Sequence, residues 1–256
     1  STQNDDSKPN PLLSLEENKE KIMSERDSNR AETSNTNDNN NETNSFKEGP
    51  VISWKEEAIK GNFMPAIVML EKNQININEI VNPDTEERLL HLAATYSFLN
   101  VTRCFIEKYN ADINVRNKAQ HSPLHIIANN TTQDLFLHCY LLCQEKLEID
   151  AVDNTNVTPF FYTAMSGFKL GFMAIVAKGC NIEHIDKFGN SVLYIATSFG
   201  NKFVYRFMQN HSKVFNINAT YFSDDTTLAE VLLHSKNVNI CKYIMKHYNK
   251  KLNLNS

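Results

Sequence analysis

His138-Cys139, followed by Cys143, is the densest grouping of metal-capable side chains in the sequence. An imidazole and two thiolates are zinc ligands, but sites of that kind draw a further ligand pair at short spacing, and none follows here. The group sits in an apolar helical stretch (Leu135, Phe136, Leu137, Leu141, Leu142), so its thiols are expected in the core, without a metal. Glu86-Glu87 and Asp224-Asp225 are paired carboxylates of the type general acid–base chemistry uses. Both fall at expected turn tips, where solvated carboxylates are the ordinary outcome. The sequence has no Gly-x-x-x-x-Gly-Lys or Gly-x-Gly-x-x-Gly cradle for phosphate, no His-Glu-x-x-His and no Gly-x-Ser-x-Gly elbow. No nucleophile–base pair stands out, so the expectation is no catalytic residue, no cofactor, no metal and no enzyme activity. Lys242, Lys246, His247, Lys250 and Lys251 form a basic stretch on the last expected helix. It reads as a solvated face, with an acidic partner or a membrane surface as the other reading.

The elements that hold these residues follow from composition. The chain has 256 residues, 41% hydrophobic and 22% charged, with a formal net charge of −4. That balance lacks the basic excess of a nucleic-acid binder. No apolar run reaches the roughly 18–20 residues that span a bilayer. The polar start at Ser1 carries no secretory pattern and no Met, which suggests a piece of a longer chain. An odd set of five scattered cysteines fits reduced thiols in a cytoplasmic setting. Residues 1–50 hold 6 basic and 11 acidic residues among Asn- and Ser-rich text, with no Trp or Tyr. Such a segment is expected to be a disordered acidic tail, because it has little apolar surface to offset chain entropy. Leu12, Leu13, Leu15, Ile22 and Met23 are its few apolar side chains. Residues 51–256 are dense in apolar residues and form the folded part.

That part repeats itself. Arg88-Leu89-Leu90-His91-Leu92-Ala93-Ala94, Ser122-Pro123-Leu124-His125-Ile126-Ile127-Ala128 and Thr158-Pro159-Phe160-Phe161-Tyr162-Thr163-Ala164 are versions of one helix start. Ser191-Val192-Leu193-Tyr194-Ile195-Ala196 and Thr226-Thr227-Leu228-Ala229 continue the series. The third position falls at 90, 124, 160, 193 and 228, in steps of 34, 36, 33 and 35. A degenerate copy begins at Ile52-Ser53-Trp54. Units are therefore expected near 52, 88, 122, 158, 191 and 226. Ser122, Thr158, Ser191 and Thr226 are suited to cap a helix and Pro123 and Pro159 to its first turn, while one Leu or Phe per unit points into the stack. Second helices carry apolar stripes, for example Val101, Cys104, Phe105 and Ile106, then Leu170, Phe172, Met173, Ile175 and Val176. No unit buries such a stripe alone, so neighbours have to stack.

These residues resemble the ankyrin repeat, a unit of roughly 33 residues with a Thr-Pro-Leu-His-x-Ala helix start. Asn110-Ala111-Asp112-Ile113-Asn114 and Gly179-Cys180-Asn181-Ile182 are similar to that family's unit closure. The resemblance implies an all-α solenoid of about six helix-turn-helix units with β-hairpin-like loops. It also implies that His91 and His125 hydrogen-bond backbone within and between units, whereas Phe161 and Tyr194 leave their joints to packing. Residues 125–150, with a long second helix, and the Asp-Gly-free turn 114–123 resemble the cytosolic region of Akr-type DHHC palmitoyltransferases. That narrower resemblance implies substrate recruitment, with acyl transfer in a domain outside this chain, since no Asp-His-His-Cys occurs here.

In the ankyrin family a partner lies across the hairpin tips and first helices. Carried onto this sequence, those positions make Tyr96, Asn130, Met165, Lys187, Phe188, Phe199 and Phe222 the expected partner-binding residues. The aromatic and Met side chains among them have no stacking role in the motif, and such anchors tend to carry binding energy. The expected function is a monomeric scaffold that binds a protein or peptide, not nucleic acid. The alternatives are substrate recruitment for a membrane acyltransferase and a regulatory domain of a cytosolic enzyme.

Overall fold

The computed structural model describes residues 53–211. The tail, the unit near 226, Phe222, the pair Asp224-Asp225 and the basic stretch 242–251 lie outside the described residues.

The described elements belong to one compact unit that starts at Trp54. Helices come in pairs: α1 (Trp54–Ile59) with α2 (Met64–Glu71), then α3 (Leu89–Thr95) with α4 (Leu99–Arg103). The latter runs on into a π-helical turn, Cys104–Lys108. The pairs α5 (Pro123–Asn129) and α6 (Leu135–Leu142), α7 (Pro159–Ser166) and α8 (Lys169–Ala177), and α9 (Val192–Phe199) and α10 (Lys202–His211) follow. The first helices α3, α5, α7 and α9 lie side by side in sequence order, and α6 packs on α8 in the second row. Antiparallel strands β1 (Ile80–Asn82) and β2 (Glu87–Arg88) form a hairpin that pairs Ile80 with Arg88 and Asn82 with Glu87 around a bulge. The later hairpins shrink to tight turns, one of them keeping an isolated bridge between Ile185 and Ser191.

The periodic apolar position is the spine of the stack. Leu90, Leu124, Phe160 and Leu193 are all buried, as are the small residues Ala94, Ala128 and Ala164 that let the helices approach. The second-helix stripe is corrected in part. Phe172 and Ile175 are buried, but Leu170 and Met173, expected to join them, are exposed. The thiols are corrected as well: Cys180 is buried, but Cys104 and Cys139 are intermediate and Cys143 is exposed at the end of α6. One expected cap also fails. The Thr158 hydroxyl is buried with no hydrogen-bond partner, so its contribution is packing rather than capping. Ser122 caps by another route, its backbone N–H donating to His125 Nδ1 at 3.1 Å.

Hydrogen bonds run from unit to unit at the tips, at the closures and in the first helices. At the tips, Lys118 N–H donates to Thr85 O, Asn154 N–H to Ala119 O and Lys187 N–H to Thr155 O, at 2.9, 3.2 and 2.9 Å. At the closures, Asp112 N–H donates to Asn78 Oδ1, Glu148 N–H to Asn114 Oδ1 and Asn181 N–H to Asp150 Oδ1, each at 2.9 Å. In the first helices, His91 Nδ1 accepts from Arg88 N–H at 3.2 Å while its Nε2–H donates to His121 O at 3.0 Å. His125 repeats this toward Val157 O at 3.2 Å. Both rings must then be neutral with the proton on Nε2. Phe161 has no such bond to give. It is buried, with the His184 ring edge-on at 5.9 Å, and His184 Nε2–H donates to Asn156 O instead.

The tips at 117–121, 153–157 and 186–190 are each pinned by one Asx side chain. Asn117 Oδ1 accepts from Ala119 and His121 N–H at 3.0 and 2.9 Å. Asp153 Oδ1 does the same for Thr155 and Val157, and Asp186 Oδ1 for Phe188 and Asn190. The fourth tip position is left-handed throughout, at Glu86, Gln120, Asn156 and Gly189. Asn117→Ala is therefore expected to cost about 2 kcal/mol, because two backbone donors lose their acceptor. Asn117→Asp should be close to neutral, since Asp fills the same place in the next two units. Urea unfolding of both variants checks the pair.

Candidate partner-binding face

The tips and the ends of the first helices bring the expected binding residues into one series, but not with equal freedom. Phe188 sits at the tip of the 186–190 turn with its ring 42% exposed. Its backbone N–H is held by Asp186 Oδ1 at 2.8 Å, which fixes where the ring projects. Lys187 beside it is exposed, its N–H bound to the preceding tip. Met165, near the end of α7, is partly buried, and its carbonyl accepts from Asn201 Nδ2 at 3.4 Å. Phe199, the last residue of α9, is likewise partly buried.

Tyr96 and Asn130 are committed elsewhere. The Tyr96 hydroxyl donates to Ile59 O at 2.5 Å, its ring stacks on Phe98 and lies edge-on to Phe63. A Cβ on Gly61 would come within 3.1 Å of that ring, so Tyr96 closes the joint with the first helix pair. Asn130 is 3% exposed; its Nδ2 donates to Thr95 O and Ser97 Oγ, and its Oδ1 accepts from Thr132 N–H. Asn201 ties α10 to Ala164 O in the same manner. An Asn that bonds back to the preceding unit's helix end is a signal the sequence offered and motif matching overlooked.

The tips also carry a change of charge. Asp84, Lys118, Asn154 and Lys187 hold the same place in successive tips, acidic at one end and basic at the other. Behind them lies a polar cluster that sequence reasoning missed. Tyr162 OH donates to Asp153 Oδ2 at 2.8 Å and receives the Nε2–H of His121 at 2.9 Å. Burial alone would raise the Asp153 carboxyl. The bonds from His121, Val157, Thr155 and Tyr162 overcome it and hold the group below the usual carboxylate range. Burial, with the Asp153 charge added, pushes the Tyr162 phenol well above its ordinary value. A carboxylate so fully bonded is a poor base, and a phenol so raised is a poor acid. The cluster therefore locks the 117–121 tip against α7 rather than offering chemistry.

His138 is fully buried, its ring edge-on to Phe168 at 5.3 Å. Among the described residues no three His, Cys, Asp or Glu side chains gather into a metal-holding group. No helix there is long and apolar enough to cross a membrane.

Comparison with known proteins agrees with this geometry. Residues 88–118 match the family model described as ankyrin repeat. The chain is 29% identical over 124 residues to alpha-latrocrustotoxin-Lt1a of Latrodectus tredecimguttatus, which covers 48% of this chain and 8% of the toxin. It is 26% identical over 157 residues to alpha-latroinsectotoxin-Lt1a of the same spider, covering 59% of this chain and 10% of that protein. The chain thus spans about a tenth of the length of the relatives it matches.

Proposed function

We propose that this chain, an ankyrin-repeat protein by its residues 88–118, is a protein-interaction scaffold whose hairpin tips and first-helix ends bind a partner protein or peptide. The observation that carries the reading is Phe188. An apolar ring left 42% exposed on a backbone turn pinned by Asp186 is a preorganised anchor. Lys187 beside it, Met165 and Phe199 extend the face. Tyr96 and Asn130 drop from the contact set, because their polar atoms and rings serve joints between units. The relatives named above lend no support to acyltransferase recruitment or to regulation of a soluble enzyme.

The test is affinity purification with the whole chain as bait, beside the Lys187→Glu/Phe188→Ala variant. Loss of a buried aromatic anchor commonly costs 2 kcal/mol or more, roughly thirtyfold in affinity. A specific partner recovered by the parent chain should be depleted at least tenfold with the variant, at unchanged melting temperature. Identical recoveries would remove Phe188 and Lys187 from the binding face.

A further inference from the structure

The second-helix row carries a surface that partner binding at the tips does not use. Phe136 on α6 is 79% exposed, and Leu170 and Met173 on α8 are 58% and 45% exposed. Phe136 and Leu170 each stand second in their helix, on neighbours that pack side by side. α10 continues the row, held to α8 by Phe172 edge-on to Phe203 and Phe207, each at 5.3 Å. The stripe expected for a core helix is therefore wider than the core, and part of it faces solvent.

The cations of this row lie on α8 and α10. Lys169 and Lys202 open α8 and α10, Arg206 lies a turn further, and all three are exposed. Neither helix contains a carboxylate. The carboxylate at the head of α6, Asp134, is occupied as its N-cap, accepting Leu137 N–H at 3.1 Å. Exposed apolar side chains on α6 and α8, in a row whose α8 and α10 carry cations and no carboxylate, on helices too short to cross a bilayer, suit an interface that is apolar beneath and anionic at its surface.

We propose that the row of α6, α8 and α10 docks on an anionic lipid bilayer. Phe136, Leu170 and Met173 enter the headgroup–acyl boundary, and Lys169, Lys202 and Arg206 meet the lipid phosphates. Surface cations gain from anionic lipid and lose that gain as salt rises. The inference does not depend on the tip face, since none of these residues belongs to it.

Co-sedimentation of the whole chain with phosphatidylcholine vesicles, with and without phosphatidylserine, tests it. Binding is expected to the anionic vesicles and to weaken with added salt. Lys169→Gln/Lys202→Gln should weaken it about 25-fold, each cation contributing about fivefold. Phe136→Ser/Leu170→Ser should weaken it at least tenfold. Both pairs are exposed, so circular dichroism should show an unaltered fold and melting temperature. If the parent chain stays in the supernatant with anionic vesicles, the proposal is overturned. Equal binding by parent and variants overturns it too, as does a soluble protein that needs Phe136 and Leu170 while vesicles do not bind.

Discussion

Acidification is expected to unfold the repeat stack between pH 6.5 and 4, well above the range in which carboxylates alone would do so. Burial lowers His91 and His138 to about 4 and His125 to about 3. In the native chain all three are held neutral, two of them by accepting a backbone N–H at Nδ1. In the unfolded chain each takes a proton near its ordinary value of 6.5. The unfolded state therefore binds more protons as pH falls, so the stability present above 6.5 drains away toward the folded values. Each neutral imidazole costs about 1.4 kcal/mol per pH unit across that window. With three acting together the slope approaches about 4 kcal/mol per unit, against a typical total of about 5–15 kcal/mol. Asp153, held below its ordinary range, adds a loss of the same sign at still lower pH, while Asp186, raised by burial, opposes it. A pH titration followed by far-UV circular dichroism reads the midpoint. A chain with the same urea midpoint at pH 7 and pH 4.5 would contradict the burial of these rings.

His138 separates this reading from general acid sensitivity. It is the member of the trio whose ring nitrogens both lack a partner. The Gly171 backbone is close enough to oppose the fall in its pKa, yet forms no well-aligned bond. His138→Leu should raise stability at neutral pH by about 1 kcal/mol, because a desolvated polar group disappears. It should also move the acid midpoint downward. His125→Ala should do the opposite at neutral pH, costing about 3 kcal/mol or more by leaving Ser122 N–H and Val157 O unpaired across a joint.

Gly171→Val is expected to be among the most damaging single changes. A Cβ at Gly171 would stand 2.4 Å from the Cδ1 and Cε1 atoms of Phe168, a distance no real contact tolerates. The Phe168 ring cannot swing aside, for it is 2% exposed and lies against His138 of α6. Overpacking of that order costs about 1–3 kcal/mol, and a branched side chain belongs at the upper end. Gly171→Ala should also destabilise, although Ala favours a helix over Gly by about 1 kcal/mol. Pairing Gly171→Ala with Phe168→Leu should recover part of the loss, which marks the clash as its cause. A Gly171→Ala chain as stable as the parent would show that the Phe168 ring is not held against Gly171.

How much of this was legible from sequence depended on what the repeat constrains. Leu90, Leu124, Phe160 and Leu193 recur because each must fill the same hole in the stack, so spacing alone located them. His91 and His125 were legible through the motif, since two backbone groups depend on each ring. The second helices were not. When most residues of a helix are apolar, as in α6 and α8, periodicity no longer marks the buried side, and Phe136, Leu170 and Met173 were hidden in that ambiguity. The surroundings of the expected binding positions were hidden for a different reason. Motif alignment gives the place of a side chain in the unit but not its local obligations, so Tyr96 and Asn130 looked available. The exposure of Phe188 was legible, because the turn dictates its position and nothing in the motif covers it.

Amide hydrogen exchange at the tips tests the stacked arrangement most directly, because only a neighbouring unit in register can protect those protons. The N–H groups of Lys118, Asn154 and Lys187, each bonded to the preceding tip, should exchange as slowly as the first helices beside them. Exchange at free-peptide rates while α5 and α7 stay protected would contradict the unit-to-unit ladder, and with it the surface on which partner binding is proposed.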